Sequence, residues 1–129
     1  MGCFKNIFNN SEIQTETSNM NWIQLTDSMQ LNEIIENSNQ KPILIFKHST
    51  RCAISRMVLK QFENDFKLDN DFQTYFLDLL QFRPISNEIE SLFHVQHQSP
   101  QILLVKNGVV VHHTSHESID AETLGKFMV

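Results

Sequence analysis

The chain has 129 residues, 2 of them cysteine, and 10 Lys and Arg against 15 Asp and Glu give it a formal charge of -5. That length makes one domain whose core needs neither a disulfide framework nor a structural metal, and two distant cysteines read as reduced thiols. The acidic balance argues against nucleic acid as partner, and no run approaches the roughly 20 apolar residues that span a bilayer. A cytoplasmic protein is expected.

The opening "MGCFKNIFNN" holds no apolar core for a signal peptide, and a myristoylation motif at Gly2 would want Ser or Thr where Asn6 stands. Residues 1–20, rich in Asn, Ser, Thr and Glu, are expected to form a flexible arm, and residues 21–129 the domain. "NWIQL" suits a short strand. Thr26 or Asp27 then caps a helix in which Leu31, Ile34 and Ile35 recur at helical spacing. Pro42 opens "ILIF", a continuous apolar run fit for a strand covered on both faces. A long helix starts near Thr50, with Ile54, Met57, Val58, Phe62 and Phe66 on one stripe. "FQTYFLDLL" reads as a strand, and Pro84 opens a helix with Ile85, Ile89, Leu92 and Phe93 on its apolar face.

Two branched runs then flank Asn107-Gly108, the pair that suits a two-residue hairpin turn. Ser118 is expected to cap a last helix with Asp120 and Glu122 in its first turn. The order strand, helix, strand, helix, hairpin, helix predicts an α/β fold. Its sheet is mixed and four-stranded, two parallel strands extended by an antiparallel hairpin, with helices on both faces.

The chemistry points to Cys52. In an open α/β sheet, sites gather where a strand ends and the next helix begins. With Ser49 or Thr50 as helix cap, Cys52 falls in the first turn, where unpaired backbone N–H groups and the helix dipole favour a thiolate. Lys47, His48, Arg51 and Arg56 add positive potential nearby, with His48 expected to act as a positive neighbour rather than a base. Ser55, three residues on, occupies the place of a resolving thiol in a Cys-x-x-Cys enzyme. A hydroxyl there can donate to a thiolate but cannot close a disulfide.

"PILIF", "CAIS" and "SPQILLVKNG" together resemble the thioredoxin and glutaredoxin superfamily. More closely, "IFKHSTRCAISRM", "YFLDLL", "ISNEIE", "HQSPQ" and "SHESIDAETL" resemble the monothiol bacilliredoxins, thioredoxin-like proteins of the bacillithiol system. The resemblance implies a thioredoxin-like fold, a nucleophilic Cys52, and Ser55 in place of the resolving cysteine. It also implies a cis Ser99-Pro100 facing Cys52, which an X-Pro bond alone would not suggest, since only about 5 to 6% are cis. Substrate contacts would come from His48, Thr50, Arg51, Ser99 and Pro100. The implied partners are S-bacillithiolated client proteins and bacillithiol or a similar low-molecular-weight thiol, with bacillithiol as co-substrate; no cofactor is implied.

Ala53 departs from the Gly or Pro of many thioredoxin motifs, and Cys3 is a remote candidate for a resolving thiol. His94, His97, His112, His113 and His116 are read as solvated groups rather than metal ligands, since His112 and His113 point to opposite faces of a strand. The rival readings are a glutaredoxin-like iron-sulfur carrier and a non-catalytic thioredoxin-fold adaptor.

Overall fold

A computed structural model describes residues 20–67 and 71–127. Cys3 and the expected arm, Met20 excepted, lie outside them. The elements follow in chain order: β1 (Ile23–Gln24), α1 (Met29–Asn37), β2 (Ile43–His48), α2 (Ala53–Asp65), β3 (Gln73–Asp78), α3 (Arg83–Phe93), β4 (Gln101–Lys106) and β5 (Val109–Ser115). Two 3-10 segments, His116–Ser118 and Ala121–Phe127, complete the described chain.

The sheet order is β1-β3-β2-β4-β5. β1 and β2 run parallel to β3, whereas β4 is antiparallel to β2 and to β5. The expected four-stranded mixed sheet is present, and the two-residue β1 within "NWIQL" pairs with β3 to make it five-stranded.

β2 is central because its run Ile43 to Phe46 has no exposed surface at all. Alternation sends Ile43 and Ile45 to one face, where they meet Leu31 and Ile34 of α1 and Ile85, Ile89 and Phe93 of α3. Leu44 and Phe46 go to the other, against Val58 and Phe62 of α2, Phe66, and Leu124. That second core is aromatic: the Phe46 ring lies 5.6 Å from Phe62 and 5.8 Å from Trp22. Fully burying a side chain such as Phe46 contributes about 1.5–3 kcal/mol relative to leaving it exposed.

The hairpin forms as its sequence demands, with positive φ at both Asn107 (53°) and Gly108 (80°). Ser38, just past α1, accepts from both turn residues: its carbonyl from the Asn107 N–H and its hydroxyl from the Gly108 N–H. Ser28, not Thr26 or Asp27, takes the cap position of α1; Asp27 just before it still accepts from the Met29 N–H, and Gln30 reaches back to the Asp27 N–H.

Three further expectations change. α2 begins at Ala53, not near Thr50, because Cys52 is extended (φ -98°, ψ 121°) and itself takes the cap position. The stripe that faces the core also differs: Ser55, Val58 and Phe62 turn inward, leaving Ile54 (41%) and Met57 (58%) exposed. Likewise Leu92 of α3 is exposed while Ile85, Ile89 and Phe93 are buried. The last helix is two short 3-10 segments separated at an extended Ile119. Its capping residue is Asp120 rather than Ser118, with the carboxylate accepting from the Glu122 N–H and the Thr123 hydroxyl.

Candidate active site

The parallel β2 and β3 end on the edge of the sheet where the antiparallel β4 begins, since His48 pairs with Asp78 and Lys47 with Gln101. The residues that follow β2, Ser49 to Cys52, and those that precede β4, Ser99-Pro100, therefore lie at the same edge of the sheet. Backbone bonds close the edge, from the Leu79 N–H to the His48 carbonyl and from the His116 N–H to the Pro100 carbonyl, both 2.9 Å. The Ser99-Pro100 peptide is cis, as the resemblance implied.

Cys52 is half-buried and is the free cysteine of the described residues. Its N–H donates to the Ser49 carbonyl (3.1 Å) and its own carbonyl accepts from the Arg56 N–H (3.1 Å). A cap residue stands over the first amides of its helix, so the sulfur sits at the positive end of α2, where it makes no side-chain hydrogen bond. Thr50 and Arg51 are exposed, and the Arg56 guanidinium donates to the Thr50 carbonyl at 2.8 Å.

Ser55 does not stand beside the sulfur as a donor. It is wholly buried, with its Oγ 2.8 Å from His48 Nδ1 and accepting the Ser49 N–H at 3.1 Å. His48 is buried too, under the Phe76 ring at 5.3 Å. Burial holds its pKa below the usual histidine value; Asp78 opposes this and Arg56 adds to it. The imidazole is therefore neutral near pH 7, and the positive charge expected of it is absent. Because Ser55 Oγ already accepts from Ser49, its proton is assigned to the bond with Nδ1, which leaves Nε2 as the protonated nitrogen.

On the opposite face lies a cluster that sequence reasoning missed. Lys47 has no exposed surface, and its Nζ lies 3.5 Å from His97 Nδ1. Ser86 Oγ is 2.9 Å from the same nitrogen, the His97 N–H donates to Glu90 Oε2 (3.3 Å), and Arg83 Nη1 lies 3.5 Å from Nε2. Burial lowers Lys47 from 10.5 to about 8, with Glu90 opposing and Arg83 contributing. His97 is held below its ordinary value by burial and by the Lys47 and Arg83 charges, against Glu90. The signal was a lysine directly after four apolar strand residues. Ser99, named from the sequence as a substrate contact, adds a buried hydroxyl with no hydrogen-bond partner among the described residues.

The remaining histidines scatter. His94 ends α3 in a left-handed conformation, His112 packs its ring 5.0 Å from Phe127, and His113 and His116 are exposed. Among the described residues no three His, Cys, Asp or Glu side chains are grouped to hold a metal ion. Nor is any helix among them long and apolar enough to cross a membrane.

A mixed sheet with a cysteine at the head of α2 and a cis proline just before β4 defines a thioredoxin-fold oxidoreductase. Solved structures agree. A thioredoxin-fold protein suggested to be an oxidoreductase shares 31% identity over 81% of this chain and 90% of its own, with a TM-score of 0.69. The thioredoxin of Malassezia sympodialis (16% identity, 91% and 96% covered, TM-score 0.65) and that of Fasciola hepatica (15%, 81% and 94%, 0.63) share the fold. Residues 23–124 match the family described as monothiol bacilliredoxin BrxC, and the chain belongs to that family.

Proposed function

We propose that the protein removes bacillithiol from client proteins by one-thiol exchange at Cys52. The thiolate attacks the bacillithiol sulfur of a client mixed disulfide; the Cys52–bacillithiol bond forms as the client bond breaks, and the client leaves as its thiolate. A second bacillithiol thiolate then attacks the adduct, releasing bacillithiol disulfide and the Cys52 thiolate. No electrons are gained or lost overall in the first step, and the second transfers the oxidation to the small thiol. Both steps need a sulfur that attacks and leaves readily, and the positive end of α2 favours that anion.

The observation that carries this reading is the half-buried Cys52 capping α2, with Ser55 one turn on engaged by His48. With a hydroxyl at position 55 the adduct has no neighbouring thiol among the described residues to resolve it. Ser99 and Pro100 would receive the extended substrate as an added strand does, with the Ser99 hydroxyl as a further donor. Thr50 and Arg51 are exposed beside the sulfur and would meet the polar part of the small thiol. His48 and Ser55 would act by shaping the loop beneath Cys52.

Intact-mass spectrometry after exposure to bacillithiol disulfide tests this, beside Cys52→Ser and Cys3→Ser variants. One adduct, lost with Cys52→Ser alone and released by excess bacillithiol, is expected. No adduct, or one borne by Cys3, would sink one-thiol exchange and favour the cluster carrier or the adaptor.

A further inference from the structure

Burying a lysine costs several kcal/mol unless the structure compensates. Lys47 stands on the same strand as Ile43 and Ile45 and shares their face, yet its ammonium is spent on the segment that precedes β4 rather than on water. Residues 94–100 form no helix or strand. Three consecutive residues of that segment are tied down by side chains. The Gln96 carbonyl accepts from Gln101 Nε2 (3.0 Å), the His97 N–H is taken by Glu90, and the Gln98 N–H by Gln101 Oε1 (3.4 Å). Gln101 is itself buried and pairs with Lys47 across the β2–β4 ladder. A segment whose backbone groups are satisfied by side chains sits where those side chains are held.

We propose that Lys47 and His97 are positioning residues for the exchange reaction: from the face of β2 opposite Ser55, they fix segment 94–100 and so set the Ser99-Pro100 backbone opposite Cys52. This rests on the exchange chemistry proposed above. One strand then governs both halves of the site. Its His48 holds the loop bearing the sulfur, and its Lys47 holds the segment that receives the substrate. The charged and titratable groups facing Lys47 are His97 of the segment and Arg83 and Glu90 of α3, while β4 contributes the uncharged Gln101. Because burial brings Lys47 to about 8, its charge, and with it the hold on the segment, declines above that pH.

The test compares wild type with Lys47→Met, His97→Ala, His97→Gln and Ser86→Ala, the last deleting only a hydroxyl should the others fold poorly. Three quantities are read: the rate of exchange with bacillithiol disulfide, the rate of Cys52 alkylation by iodoacetamide, and amide hydrogen exchange over residues 96–99. Lys47→Met and His97→Ala should slow disulfide exchange about tenfold, as misplacement of a positioned substrate does. They should also speed amide exchange in the segment and leave alkylation unchanged, while His97→Gln restores most of the rate. The ratio of wild-type to Lys47→Met rates should fall above pH 8. Variants matching wild type in both disulfide and amide exchange would overturn the proposal, as would an equal loss of alkylation. A wild type inert toward bacillithiol disulfide would instead overturn the exchange reading and this role with it.

Discussion

The two faces of β2 solve the same problem with different chemistry. Both are apolar for two residues and end in a polar side chain beneath the site, Lys47 on the α1 and α3 face and His48 on the α2 face. On the α2 face, burial makes the group give up its charge, and one hydroxyl satisfies it. On the other the lysine keeps its charge near neutral pH, held among His97, Glu90 and Gln101. The difference teaches that a strand end can carry a neutral and a charged polar group back to back when each face supplies its own partners.

The cores under these groups differ as well, and the largest expected effect lies there. Phe46 packs against Trp22, Phe62 and Phe76, whereas Ile45 meets the aliphatic face. Phe46→Ala should cost about 3–5 kcal/mol in urea unfolding, since the surrounding rings cannot collapse into the space. Ile45→Val should cost only about 0.5–1.5 kcal/mol. A loss below about 3 kcal/mol for Phe46→Ala would show that the surrounding rings do collapse into the space.

Lys47 comes next. Its pKa is lower folded than unfolded, so between about pH 8 and 10.5 the unfolded chain binds more protons and stability rises with pH. The lowering corresponds to about 3 kcal/mol, fully lost again below pH 8. Tyr75, raised by burial and by Glu33, works the other way above pH 10 and is common to both proteins. The difference in stability between wild type and Lys47→Met, followed by urea unfolding from pH 7 to 10, should therefore grow in favour of wild type. A flat difference would mean that Lys47 is not buried as a cation.

What the sequence made legible follows from how local each cause is. "ILIF" announces a doubly covered strand because four consecutive apolar residues leave no face for water, and Asn107-Gly108 announces its turn through two positive φ angles. Cys52 at a strand-to-helix junction was legible for the same reason. The cis Ser99-Pro100 came only from the resemblance, for no local rule selects that isomer. Ser55 was misplaced because its direction is set by a buried partner on β2: it shares the inward side of α2 with Val58 and Phe62 and meets His48 there. Lys47 was read as adding positive potential beside Cys52; it is instead buried on the face of β2 opposite His48, and its partners come from α3 and the segment before β4, both distant in sequence.

The smallest effect belongs to the histidines and tests whether the two faces are independent. His48 and His97 both have lowered pKa values, so below pH 6.5 the unfolded chain takes up protons that the folded chain refuses, and stability falls as the pH drops. His48→Gln should flatten that acid slope from the α2 face and His97→Gln from the α3 face, both measured by urea unfolding between pH 7 and 5. His112, also lowered by burial and by its neighbours His113 and Lys126, leaves a residual slope in both. If β2 separates the two clusters, the double variant should lose the sum of the single effects. A shortfall would mean that protonation under Cys52 is felt beneath Ser99, coupling the half of the site that carries the sulfur to the half proposed to receive the substrate.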